Sequence, residues 1–140
     1  MSDDITVEVF RESAPAGLRW LVERGFSRAR DLEKETPTMG TLVYRGKNVA
    51  FEFSFDARDQ CIDAEVIKVE RGSLRRNWDG GYSKDIYTHL VAAEGYRGSP
   101  MGSLSVHEFE SKLDKAIAGW SSLLETAGSK LLSDSSESLG

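Results

Sequence analysis

The chain has 140 residues, 39% hydrophobic and 29% charged, with 18 basic against 23 acidic side chains. That is the size and composition of one globular domain able to bury a core. The net charge of −5 argues against a nucleic-acid binder in general, which needs concentrated positive charge against phosphate, and leaves room for a local basic patch. The single cysteine, Cys61, excludes an internal disulfide and a cysteine-built zinc site.

The opening MSDDITVEV lacks the basic start and apolar run of a signal peptide. No apolar stretch approaches the ~18 residues that a membrane helix needs. The expectation is a soluble cytoplasmic protein. Residues 1–132 read as one domain, and the polar 133–140 reads as a flexible tail.

Along the chain, Ser13-Ala14-Pro15 predicts a helix start, with Ser13 as N-cap and Pro15 in the first turn. Leu18, Leu21 and Val22 follow at helical spacing, and Gly25 suits the C-terminal cap. Residues 5–12 either extend this helix ahead of a proline bend or form a separate turn. The charged 27–38 segment reads as a loop.

A sheet comes next. Thr41–Arg45, Val49–Asp56 and Cys61–Glu70 are predicted strands, joined by a two-residue type II′ turn at Gly46-Lys47 and a four-residue turn at 57–60. These loop lengths pair Tyr44 with Val49, Leu42 with Phe51, Phe53 with Ala64 and Phe51 with Val66. One face then collects Leu42, Tyr44, Val49, Phe51, Phe53, Phe55, Ile62, Ala64 and Val66, which is the predicted core. Residues 71–82 read as a long arginine- and glycine-rich loop. Ser83 is expected to cap a helix to about Ala93. Ser105-Val106-His107-Glu108 has the form of a capping box. The apolar series Phe109, Leu113, Ile117, Trp120, Leu124, Ala127 and Leu131 predicts a long C-terminal helix. The expected fold is α+β: an antiparallel three- or four-stranded meander packed on one face by an N-terminal and a long C-terminal helix.

The opposite face of that sheet carries the candidate site. Glu52, Asp56, Asp63 and Glu65 lie on it, and the register sets Glu52 against Glu65. Like charges directly across two strands destabilise a sheet. A wet face that screens them is one account, and a cationic partner is the other. Val43 and Ile67 are apolar on the same face, either covered by another element or exposed as a partner or homodimer surface.

A second candidate is the loop from Arg71 to Lys84, where Arg71, Arg75, Arg76, Trp78 and Tyr82 could bind a phosphorylated ligand or RNA. No metal or cofactor site is read: flat-sheet carboxylates diverge, whereas a hard cation wants converging oxygens. No GxxxxGK[ST], GxGxxG or HExxH motif is present, and no nucleophile, base and oxyanion donor assemble from the sequence. The expectation is a non-enzymatic protein.

The segments FRESAPAGLRWLVERGF and TLVYRGKNVAFEFSFDARDQCIDAEV, a helix ending in Gly-Phe followed by a hairpin, resemble small stand-alone bacterial proteins of uncharacterised function. Some of these are similar to immunity proteins that neutralise toxins. The resemblance covers roughly residues 5–70, carries over no functional residue, and implies a compact acidic inhibitor that works through a surface. The expected partner is another protein, of basic character, with a phosphorylated ligand or RNA, or a homodimer, as the alternatives.

Overall fold

The computed structural model describes residues 5–76, 83–86, 104–105, 117–121, 124–125 and 132. It is a mixed α+β arrangement built on an antiparallel sheet. The first helix, α1, runs from Val7 to Gly17. Thr6, not Ser13, is its N-cap: the Thr6 hydroxyl accepts the Val9 N–H at 3.1 Å. The helix begins there because Val7, Phe10 and Ala14 already form an inward stripe at spacings of three and four. Pro15 falls near its end, and the chain breaks at Leu18 before a second short helix, α2, Arg19–Glu23. Of the two readings of residues 5–12, the helix that precedes a proline bend is the one observed.

Gly25 ends α2 as the sequence predicts. Its φ is 102°, its N–H donates to the Val22 carbonyl, and the Phe26 N–H donates to Leu21. Those two bonds are a Schellman cap, which turns Phe26 back into the core.

Residues 27–38 are not the loop that their charge suggests. They form strand β1, Ser27–Arg28, then a 3-10 turn at Arg30–Leu32, then a bridge from Glu35 to Gly40. The three central strands follow: β2 Met39–Arg45, β3 Val49–Asp56 and β4 Cys61–Glu70. Three further short strands appear among the described residues, β5 Ser73–Arg75, β6 Ser83–Asp85 and β7 Leu104–Ser105. The order is β1-β2-β3-β4-β5, with β6 and β7 also paired to β4. Among the described residues, seven strands therefore replace the expected three or four, because the short ones carry too few residues to show a period. Ser83 opens a strand rather than capping a helix, and Ile86 is helical.

The β3–β4 register is as read from the 57–60 turn, with Phe53 opposite Ala64 and Phe51 opposite Val66. Asp56 fixes that turn by accepting the Arg58 and Asp59 N–H groups, at 2.8 and 3.2 Å. The β2–β3 register differs by two residues: Tyr44 faces Phe51 and Leu42 faces Phe53. A type II′ turn at Gly46-Lys47 needs a positive φ at Gly46, and Gly46 is not among the left-handed glycines. Instead the Gly46 N–H bonds to the Val49 carbonyl, placing Lys47-Asn48 at the turn. Because the slip is an even number of residues, every side chain keeps its predicted face.

The inner face is accordingly the core. Leu42, Tyr44, Val49, Phe51, Phe53, Phe55, Ile62, Ala64 and Val66 are all buried with α1, α2 and Phe26. Phe10 stacks on Phe55 at 5.3 Å, and Phe26 meets Phe51 edge-on at 5.2 Å. At the C-terminal end, helical residues 117–121, 124–125 and 132 are described. Ile117, Trp120 and Leu124 are buried at the predicted spacing, and Trp120 donates its indole N–H to the Ile62 carbonyl at 3.1 Å. Leu131 and the rest of the expected long helix, the helix to Ala93, the capping box and the 133–140 tail lie outside the described residues.

Candidate functional site

The register lays the outer face out in four rows across the strands. Arg45, Ala50, Ile67 and Ser83 form one row, and Val43, Glu52, Glu65 and Asp85 the next. Thr41, Ser54 and Asp63 form the third, and Met39, Asp56, Cys61 and Ser105 the last. Burial falls from the first row to the last. Ala50, Ile67 and Val43 are fully buried, whereas Asp63 and Met39 are exposed. Val43 and Ile67 therefore offer no apolar surface for a partner or a second copy.

Glu52 is also covered, at 7% exposure. A buried carboxylate without a counter-charge is severely destabilising, and Arg76 supplies one. Its two terminal nitrogens meet the two Glu52 oxygens at 2.8 and 2.6 Å, a bidentate fork between planar groups. Arg76 leaves β5 just past the β4 edge, so its side chain spans β4 to reach β3. One candidate of the acidic face and one of the arginine loop are thus joined to each other.

Glu65 directly faces Glu52 on one side and Asp85 on the other. It is half-buried. Burial, then the charges of Glu52, Asp85 and Asp63, push its carboxyl above the usual range, and Arg76 only partly offsets them. Among the described residues, the side chains of Glu65 and Asp63 make no hydrogen bond or ion pair. Asp56 is different, since it already serves the 57–60 turn.

A second ionic hub lies at the other edge of the sheet, around a residue that the sequence reading did not single out. Glu33 has a fully buried side chain. It accepts Arg28 Nε and Nη2 at 2.9 and 3.0 Å, Arg11 Nη2 at 2.8 Å and the Val43 N–H at 3.0 Å. Burial raises its pKa, but the bonds from Arg28, Val43 and Arg11 outweigh that and hold it below the usual range. This hub ties α1, β1 and β2 together, so its role is structural. The only signal for it was the charge of the 27–38 segment, and composition cannot say which carboxylate turns inward.

In the arginine segment, Arg71 is exposed and Arg75 lies 3.6 Å from Glu70. Trp78 and Tyr82 lie outside the described residues. Among the described residues, no group of three or more His, Cys, Asp or Glu side chains is placed to hold a metal ion, and no helix is long and apolar enough to cross a membrane. An open hollow of about 430 Å³ between the start of α1 and the 35–37 turn is lined by Thr6, Val7, Glu8, Glu35, Thr36 and Pro37. It holds no nucleophile–base pair, and Glu35 there is bonded to Arg11.

No protein-family model, curated protein or solved structure matches the chain.

Proposed function

We propose that this is a non-enzymatic, cytoplasmic protein-binding module that meets a basic protein partner through the open acidic half of its sheet. An immunity-type inhibitor is the form that this reading takes if the sequence resemblance holds. The observation that carries it is the contrast within one row. Glu52 has its own guanidinium, while Glu65 faces two carboxylates and, with Asp63, has no bonded partner among the described residues. The sheet is strained electrostatically by these groups, so a cation from outside is the compensation that suits them. Their contribution is fast encounter and orientation more than raw affinity.

Glu65 and Asp63 are the contact residues of this reading. Asp56 adds charge at the rim while holding its turn, and Glu52 acts from beneath by keeping Arg76 in place. The test is capture of partners from a lysate of the source organism. Asp63→Lys combined with Glu65→Lys is expected to lose a salt-sensitive protein that the wild type retains. Identical capture by both would remove the acidic face from the account.

A further inference from the structure

The β4–β5 hairpin turns through two residues, Arg71 and Gly72, with Glu70 and Ser73 paired across it. Both central residues are left-handed, at φ 53° and 79°, as a type I′ turn requires. Glycine takes that conformation without penalty, and asparagine with little. Arginine has neither the missing Cβ nor the short polar side chain that eases it. Arg71 is exposed, and among the described residues its side chain makes no hydrogen bond or ion pair. The fold would be served better by asparagine there. Backbone strain at an exposed residue whose side chain makes no bond among the described residues is the kind of outlier that motivates a functional hypothesis.

The surroundings of the tip agree. Arg45 donates to the Gly72 carbonyl at 2.9 Å, which ties the tip to the neighbouring β2–β3 turn and its exposed Lys47. Lys68 and Arg75 flank Glu70 at 3.1 and 3.6 Å. Among the described residues, Arg45, Lys47, Lys68, Arg71 and Arg75 lie at this end of the sheet with Glu70, while Asp56, Asp59 and Asp63 occupy the opposite end. A two-residue tip is convex, and cations around it diverge. Such a shape does not cradle a small anion, but it fits an acidic recess. The net charge of −5 disfavours a long polyanion laid along the molecule.

We infer that this hairpin tip, with Arg71 at its point, is a second and basic contact that enters an acidic recess on a protein partner. The inference rests on the protein-binding reading above, but uses a different surface of opposite charge. Asp63 and Arg71 are eight residues apart along β4 and its turn, or ~26 Å at strand spacing. A partner engaging both contacts carries its basic and acidic patches at about that separation.

The test is a titration of the full chain with a hexaglutamate peptide at low ionic strength, followed by backbone amide shifts. A single-stranded oligouridylate of equal charge forms the parallel arm. Expected are shifts confined to residues 45–48 and 70–75, and at least about fivefold weaker peptide binding by Arg71→Asn. The Tm of Arg71→Asn should equal or exceed that of the wild type. The inference is overturned by an absence of shifts at the tip, by undiminished binding in Arg71→Asn, by tighter binding of oligouridylate, or by a lowered Tm in that variant. The Asp63→Lys, Glu65→Lys protein keeps the tip, so lost capture there and lost peptide binding here report on separate surfaces.

Discussion

Glu52 and Glu65 sit directly opposite each other on neighbouring strands, and the fold treats them in contrary ways. Glu52 is buried and held by both arms of Arg76, whereas Glu65 is half-buried between two carboxylates that the same guanidinium only partly offsets. The same contrast separates the two halves of the outer face. One half is closed over Val43, Ala50, Ile67 and Val69, and there the buried Glu52 is matched by Arg76. The other half is exposed at Asp63 and half-buried at Ser54 and Cys61. Burial forces a fold to neutralise its charges, and exposure relaxes that demand.

The sharpest way to break the comparison is to remove Arg76. Arg76→Ala strands the Glu52 carboxylate inside, and a loss of about 3–5 kcal/mol of stability is expected from chemical denaturation. Replacing the pair together, Glu52→Met with Arg76→Leu, should restore most of it, because two apolar groups need no partner. If Arg76→Ala proves neutral, Glu52 is hydrated and the two halves do not differ.

Glu33 gives the next effect. Glu33→Ala leaves Arg11 and Arg28 without their shared acceptor and the Val43 N–H unbonded, at a cost of roughly 2–4 kcal/mol. Its pKa is held down in the fold, so its contribution is present above the ordinary carboxylate value of 4.5 and is lost as the pH falls through the lower folded value. Glu33→Ala should therefore flatten the acid limb of a stability–pH curve.

Glu65 should behave in the opposite sense, and more weakly. Its folded pKa is raised above 4.5, so its favourable contribution exists below that pH and disappears as the pH rises through the folded value. Glu65→Gln is thus expected to stabilise by roughly 0.5 kcal/mol at neutral pH, on the scale of like-charge cross-strand pairs. At a pH below 4.5 the gain should vanish. A loss of stability at neutral pH would mean that ionised Glu65 has a partner within the fold.

What the sequence disclosed follows the same physical divide. The alternation of Val49, Phe51, Phe53 and Phe55 announced the core face, and an even slip in the β2–β3 register left it intact. The cross-strand Glu52–Glu65 pair was also legible, since the length of the 57–60 turn sets it. Arg76 as the answer to Glu52 was not, because a bond across 24 positions leaves no local pattern. Glu33 escaped because composition does not say which carboxylate of 27–38 turns inward, and its partners Val43 and Arg11 lie 10 and 22 positions away; β1, β5, β6 and β7 are too short to show a period. The two-residue turn at Arg71-Gly72 was hidden among glycines and arginines that read as a loop. Its arginine contradicts the usual preference of such a turn for asparagine.

Whether Asp63 and Glu65 serve the fold or a partner is tested most directly by measuring thermal unfolding and partner capture on one protein, Asp63→Lys with Glu65→Lys. The account predicts a Tm at or above that of the wild type, because the ammonium introduced by Glu65→Lys would attract Glu52 and Asp85 where the native carboxylate repels them. It predicts loss of the captured protein at the same time. A lowered Tm, with capture unchanged, would contradict it and return both carboxylates to the fold.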